Sequence, residues 1–168
     1  MNNKLPVHIR NNVDSYDDPY ISDESLEENT QCTQCGSVYM QSRWYLKDKI
    51  PDKTIVGETH KIVCPACRKL EDNLPGGVLK ITGDFFWKHE DEILNLIRNE
   101  SNKAQTINPL ERIMSIESDK GEIEITTTNE KLVQRIGKAL QKAYSGHVEY
   151  KWSEDTKLAR VNWHRQDS

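Results

Sequence analysis

Two C-x-x-C pairs constrain the fold of this chain more than any other feature of its sequence. The pairs are Cys32–Cys35 and Cys64–Cys67, and these four residues are all the cysteines of the chain. Two residues between paired cysteines permit a tight turn that directs both thiolates at one tetrahedral ion. Gly36 follows the first pair and can adopt the positive-φ conformation that such turns favour. The 28 residues between the pairs exceed the ~15–20 of the commonest zinc pattern, and this longer insert suits two hairpins, as in a zinc ribbon.

Disulfides and a metal site are the two main interpretations of these cysteines, and a redox dithiol is a further alternative. Residues 1–20 lack the apolar stretch of a secretory signal, so we expect a cytoplasmic, reducing environment in which disulfides do not persist. We therefore predict a Zn²⁺ site formed by Cys32, Cys35, Cys64 and Cys67. Four protein ligands leave no coordination position open, so the predicted site is structural. Basic side chains close in sequence are expected to offset its negative charge: Arg43, Lys61, Arg68 and Lys69.

Charge is distributed unevenly along the chain. The net charge is −4, yet residues 1–30 carry seven acidic and two basic residues and therefore −5. These residues show few apolar side chains and no helical or strand period, which predicts an acidic, disordered or extended arm. The arm is either a solvated tail or a segment that docks on a partner. A globally acidic chain is not usually a nucleic-acid binder, but here most of the acidity lies in the arm.

Composition and motifs exclude several functional classes. No run reaches the ~18 apolar residues of a membrane span, and the mean hydropathy is −0.80. The chain contains no G-x-x-x-x-G-K-[ST], G-x-G-x-x-G or G-x-S-x-G motif, and His89-Glu90-Asp91-Glu92 does not continue to a second histidine. We therefore expect no enzymatic activity. A hydrolase fragment that works with another subunit is a weak alternative.

Periodicity divides residues 31–168 into three segments. Residues 31–82 form the predicted zinc ribbon, with short β-branched and aromatic runs and a last strand over 78–81. Residues 83–108 read as a helix to about Asn99, followed by a polar linker. Residues 109–168 predict a ββαββ domain whose helix spans 129–144 and is capped by Asn129. The predicted fold class is α+β: an N-terminal four-cysteine zinc ribbon, a connecting helix and a C-terminal antiparallel sheet with one helix.

Basic residues recur on one face of the predicted helix 129–144. The residues are spaced by four, three and four positions: Lys131, Arg135, Lys138 and Lys142. Such a line of cations can contact successive phosphates, although it can also be the ordinary solvated face of an amphipathic helix. Arg43 and Trp44 lie just beyond the first cysteine pair and suit stacking on unpaired bases, unless Trp44 is a core residue.

The sequence resembles a group of short bacterial zinc-ribbon proteins over about residues 31–164. The resemblance rests on C-x-x-C-G with a tryptophan shortly after it, on C-P-A-C-R, and on Pro75–Val78, Asp91–Asn99, Asn108–Ile113 and Thr126–Thr128. More distantly, the cysteine pairs and the ββαββ unit are similar to parts of the archaeal and eukaryotic adaptor for nuclear export of the large ribosomal subunit. That resemblance implies ribosome or RNA binding. An export role does not transfer, because this chain has fewer cysteine pairs and is too short for the additional domains of the adaptor.

We therefore expect a non-enzymatic, cytoplasmic zinc-ribbon factor that binds RNA, most readily rRNA or the ribosome. The alternative is a protein–protein adaptor or transcription-associated ribbon that binds its partner through the sheet face or the acidic arm.

Overall fold

Two β-sheets organise the part of the chain described by the structure, a computed structural model that covers residues 26–50, 60–155 and 157–167. The predicted arm lies outside these residues except for its last five positions. Of those five, Thr30 begins the first strand, and Leu26 packs beside the cysteine cluster. The C-terminal end of the expected arm thus contacts the unit that carries the cysteines.

The first sheet contains the cysteine pairs. Its strands are β1 (Thr30–Cys32), β2 (Val38–Met40), β3 (Arg43–Tyr45) and β4 (Lys61–Ile62), in the spatial order β3-β2-β1-β4. β1 pairs antiparallel with β2 and parallel with β4. A 3₁₀ turn spans Lys47–Lys49, and helix α1 spans Pro65–Asp72. The second cysteine pair therefore lies at the start of a helix and not in the hairpin turn expected from the sequence. Pro65 occupies a first-turn position of this helix, where its missing N–H leaves no intrahelical hydrogen bond unmade.

The second sheet has five strands in the order β6-β7-β5-β9-β8. The strands are β5 (Gly77–Thr82), β6 (Ile113–Asp119), β7 (Glu122–Thr127), β8 (His147–Trp152) and β9 (Ala159–His164). The helices are α2 (Asp84–Lys88), α3 (Glu90–Ile107) and α4 (Glu130–Tyr144). The α+β class is confirmed, and so is the cap of α4, where the Asn129 side chain accepts a hydrogen bond from the Leu132 amide.

The central strand of the second sheet is one that the sequence analysis placed in the ribbon. β5 pairs antiparallel with β7 and parallel with β9. The sheet therefore contains residues from both sides of the expected boundary after residue 82, and it has five strands where ββαββ supplies four. Leu79 and Ile81 of this central strand are 0% and 1% exposed, which fits a strand that is flanked on both edges and covered by helices on one face.

Helices α3 and α4 cover one face of this sheet. Leu79, Ile125 and Trp163 from the strands and Ile97 and Ile136 from the helices belong to one buried cluster. The alternate strand residues point to the other face, where Glu124 and Arg160 are exposed. Among the described residues, none of the helices is both long and apolar enough to cross a membrane.

The linker expected over 99–108 is wrong, because α3 continues to Ile107. Ile93, Ile97, Ser101 and Ala104 are all buried, at spacings of four, four and three residues. Ser101 is too polar and Ala104 too small to extend the hydrophobic pattern in the sequence. Both are nevertheless buried on the same face of α3 as Ile93 and Ile97.

We expect adjacent residues of β5 to differ sharply in their contribution to stability. Leu79→Ala should lower the free energy of unfolding by about 2–5 kcal/mol, because it leaves a cavity under the helices. Lys80→Ala, on the opposite face of the same strand, should change it by about 0.5 kcal/mol or less. Chemical denaturation of both variants checks the assignment of the two faces, and equal losses would contradict it.

Candidate metal centre

The first cysteine pair lies at the end of β1. Cys32 is the last residue of the strand, and the turn that follows is closed by the Gly36 amide, which donates to the Cys32 carbonyl at 3.1 Å. Gly36 has φ +78°, as the sequence analysis expected for a residue of this turn. The turn places Cys32 and Cys35 on the same side of the chain.

The second pair lies at the start of α1. Cys64 is the N-cap residue, and its Sγ accepts a hydrogen bond from the Cys67 amide at 3.4 Å. The parallel pairing of β1 with β4, in which Cys32 lies opposite Ile62, brings this helix start beside the first pair. Cys32, Cys64 and Cys67 are buried, and Cys35 is exposed.

The four sulfur atoms lie within 4.8 Å of one another and could hold a metal ion. The Sγ atoms of Cys32 and Cys67 are 3.8 Å apart, and so are those of Cys35 and Cys64. A tetrahedron with metal–sulfur bonds of about 2.3 Å has edges of about 3.8 Å. Disulfides require about 2.05 Å between sulfurs, so these cysteines are free thiols or thiolates.

Backbone amides surround the sulfur of Cys32. The amides of Cys64, Gln34 and Cys35 donate to it at 3.3, 3.4 and 3.5 Å. Burial alone would raise the pKa of the Cys32 thiol, but these backbone donors lower it below its ordinary value. The turn therefore stabilises the charged form that a metal ion requires.

Cys35 and Cys64 titrate as a pair. Their shared side-chain hydrogen bond lowers the pKa of Cys35 to about 3, with a further contribution from Ser37, whose Oγ lies 3.2 Å from the Cys35 sulfur. The same bond, together with burial, raises the pKa of Cys64. The first proton of the pair is therefore lost more readily than the second, and a bound cation that shares the charge favours the loss of both.

Arg112 provides a cation at the cluster. Its guanidinium donates to the sulfurs of Cys35 at 3.1 Å, Cys67 at 3.2 Å and Cys64 at 3.5 Å. Burial would lower the pKa of Arg112, but the hydrogen bond to Cys67 and the charges of the cysteines raise it. Arg112 follows Cys67 by 45 residues and lies directly before β6, so neither spacing nor periodicity could have indicated it.

Three of the four basic residues expected to compensate the charge make other contacts. Arg68 Nε donates to the Val63 carbonyl at 3.1 Å, and Lys69 Nζ donates to the Thr128 carbonyl at 3.0 Å. Arg43 donates to the Ile107 carbonyl at 3.1 Å and lies over the Tyr45 ring. Proximity in sequence therefore did not identify the compensating cation.

The assignment of Trp44 to base stacking is wrong. Trp44 is 7% exposed and packs against the cysteine cluster, with Tyr39 edge-on at a centroid distance of 5.6 Å. The first sheet has few large apolar residues, so its tryptophan is needed as core. Arg43, the neighbouring residue of the prediction, remains exposed.

Residues predicted to contact phosphate lie on the outer side of α4. Lys131, Lys138 and Lys142 are exposed. Arg135 instead forms an ion pair with Glu100 of α3, with 2.9 Å between Nε and Oε2. The hydrogen bond from Arg135 lowers the pKa of Glu100. One of the four predicted cations thus already has an anionic partner within the chain.

No protein-family model, no curated protein and no solved structure matches this chain. The site therefore has to be interpreted from its own geometry.

We expect the four sulfurs to bind one divalent metal ion in tetrahedral geometry. Titration of the reduced protein with Co²⁺ should give thiolate charge-transfer and intense d–d absorption that saturate at one equivalent per chain. Cys64→Ser should abolish or strongly weaken this signal, because three thiolates do not repay the ordering of the turns. Unaltered spectra in the variant would show that Cys64 is not a ligand.

Proposed function

We propose that the metal ion is Zn²⁺ and that its role is structural. The support is a closed set of four sulfur donors at tetrahedral spacing, which favours zinc over harder cations. With all four positions filled by protein, no site remains for a substrate or an activated water. The zinc would hold β1, β4 and α1 together in a unit that has only a small apolar core.

We propose that the protein is a non-enzymatic RNA-binding factor of the cytoplasm and that its RNA is ribosomal. The observation that carries this proposal is the row of exposed lysines on α4: Lys131, Lys138 and Lys142. The row extends over about 16 Å of helix at 1.5 Å per residue. The opposite side of α4 is fixed in the core by Leu132, Ile136 and Leu140, so the lysines are presented from a rigid support.

Acidic neighbours moderate this surface. Glu100 is paired with Arg135, and its carboxylate also lies 3.6 Å from Lys103 Nζ. Burial raises the pKa of Glu111, and the charges of Lys131 and Arg135 offset part of that rise. The three exposed lysines therefore account for the phosphate contacts in this proposal, and neither Arg135 nor Trp44 is needed.

A protein–protein adaptor is the second candidate, and a separate surface favours it. The sheet face opposite the helices carries acidic side chains on β6 and β7, including Glu117 and Glu124, and basic ones on β8 and β9, including Lys151 and Arg160. Such a two-sided charge pattern suits a folded partner of complementary charge better than a uniformly anionic polymer.

Charge reversal on α4 tests the RNA proposal. The variant with Lys131, Lys138 and Lys142 changed to Glu should lose most co-sedimentation with ribosomes and with purified rRNA over a series of salt concentrations. The wild type should lose binding steeply as salt rises, because each phosphate contact releases about one counterion. Arg135 is left unchanged, since a glutamate there would oppose Glu100.

A matched control changes the same total charge elsewhere. Lys47, Lys49 and Lys120 are exposed in turns outside α4, and their replacement by Glu should leave most binding intact. Equal binding by the folded α4 variant and the wild type would refute the RNA proposal. Capture of a salt-insensitive protein partner would then favour the adaptor.

The Glu100–Arg135 pair predicts a variant that binds RNA more tightly. Glu100→Gln removes the partner of Arg135 and a negative charge beside the lysine row, so affinity for rRNA should rise and its salt dependence should steepen by about one counterion. Glu124→Gln makes the same charge change on the opposite sheet face. An equal gain in both variants would show only a net-charge effect.

A further inference from the structure

Arg112 makes the only contact of a basic side chain with the cysteine sulfurs that is seen among the described residues. Its two terminal nitrogens reach three of the four sulfurs, at 3.1–3.5 Å. Four thiolates and a divalent ion carry a local charge of about −2, which one guanidinium reduces by half. A planar fork can serve several acceptors at once, whereas an ammonium group acts as a single point charge.

The backbone around Arg112 is itself fixed from the second sheet. Its amide donates to Thr128 Oγ1 at 2.9 Å, and its carbonyl accepts from the Thr128 amide at 2.9 Å. The Thr128 hydroxyl donates in turn to the Leu110 carbonyl, and Arg112 Nε donates to the Pro109 carbonyl at 2.7 Å. The side chain is therefore held from both ends, by sulfur at its tip and by Thr128 at its base.

Thr128 immediately precedes the N-cap of α4. Asn129 caps the helix through the Leu132 amide at 3.0 Å, and its side-chain nitrogen lies 3.3 Å from a Glu111 carboxylate oxygen. Lys69, from the helix that begins at the second cysteine pair, donates to the Thr128 carbonyl at 3.0 Å. Two routes thus connect the cysteine cluster to the start of α4, one through Arg112 and one through α1.

We infer that Arg112 is an outer-sphere partner of the metal and that it couples metal occupancy to the anchoring of the first turns of α4. With metal bound, four thiolates provide the acceptors that hold the guanidinium. Without metal, nothing fixes the four sulfurs around one point, so the Arg112 guanidinium loses its fixed set of acceptors and the segment 108–112 loses one of its two attachments. The consequence is local: the N-terminal turns of α4 have this metal-linked anchor in addition to the packing of Leu132 and Ile136, while the C-terminal turns are held by the core of the second sheet alone.

The inference concerns positioning and rests on the proposed metal centre, not on RNA binding. If the RNA proposal holds as well, metal loss would disturb Lys131 at the start of the lysine row more than Lys142 at its end. Each claim can fail without the other, because neither readout below involves RNA.

Two variants and one control test the inference on the full chain. Arg112→Gln should lower Zn²⁺ affinity about 10- to 100-fold in competition with a chromophoric chelator. Arg112→Lys keeps the positive charge without the planar guanidinium, and its loss of Zn²⁺ affinity should be smaller than that of Arg112→Gln. Arg98→Gln, at an exposed position of α3, should bind Zn²⁺ as the wild type does.

Hydrogen exchange distinguishes an arginine that couples the metal to α4 from one that only stabilises the fold. Removal of Zn²⁺ from the wild type should accelerate exchange in peptides covering 127–136 and leave 137–144 unchanged. In zinc-loaded Arg112→Gln, peptides 127–136 should exchange faster than in the zinc-loaded wild type, and removal of Zn²⁺ should have little further effect.

Zinc affinity within about twofold of the wild type in Arg112→Gln would overturn the inference. Exchange over 127–136 that is independent of metal, or acceleration spread equally over both halves of α4, would overturn it as well. Failure of the wild type to bind Zn²⁺ would refute the metal centre and this inference together, whatever the outcome of the RNA experiments.

Discussion

The convergence of four cysteine sulfurs on one point is the constraint on which the first half of this structure depends. Each C-x-x-C pair is local, but the two come together only because β1 and β4 run parallel and α1 begins at Cys64. The apolar residues around the cluster are few, so the attraction between apolar groups cannot hold these short strands alone. A structural zinc ion in a small peptide domain supplies an apparent ~10–16 kcal/mol, which is enough to order such a unit.

The second half of the structure is stabilised by a conventional apolar core. Leu79, Ile125, Val161 and Trp163 are fully buried beneath α3 and α4, and this burial stabilises the five-stranded sheet without metal. Arg112 lies directly before β6, with its backbone hydrogen-bonded to Thr128 and its guanidinium in contact with the cysteine sulfurs. Negative charge on the cysteine sulfurs is thereby offset by the same residue that joins them to the larger core.

Local signals in the sequence identified much of this architecture. The clustering of the four cysteines, the α+β class, and α4 with its Asn129 cap follow from spacing and periodicity, and all of these could be predicted. Pairing across long distances could not: β5 reads as the end of a ribbon but lies between β7 and β9, and Arg112 is 45 residues from Cys67. Trp44 is buried because a unit with so few apolar residues uses its large aromatic ring as core. The helix continues beyond Asn99 because Ser101 and Ala104 pack closely, although neither is strongly apolar.

In the proposed function the two halves have different roles: the metal ion stabilises the first half, and α4 of the second half binds phosphate. The central claim is that the metal is bound by four thiolates and by nothing else. X-ray absorption at the zinc edge, on protein purified under reducing conditions, tests this claim most directly. A zinc ion bound by four thiolates gives four sulfur scatterers at about 2.3 Å. A shell with nitrogen or oxygen scatterers at about 2.0–2.1 Å, or with fewer than four sulfurs, would contradict it.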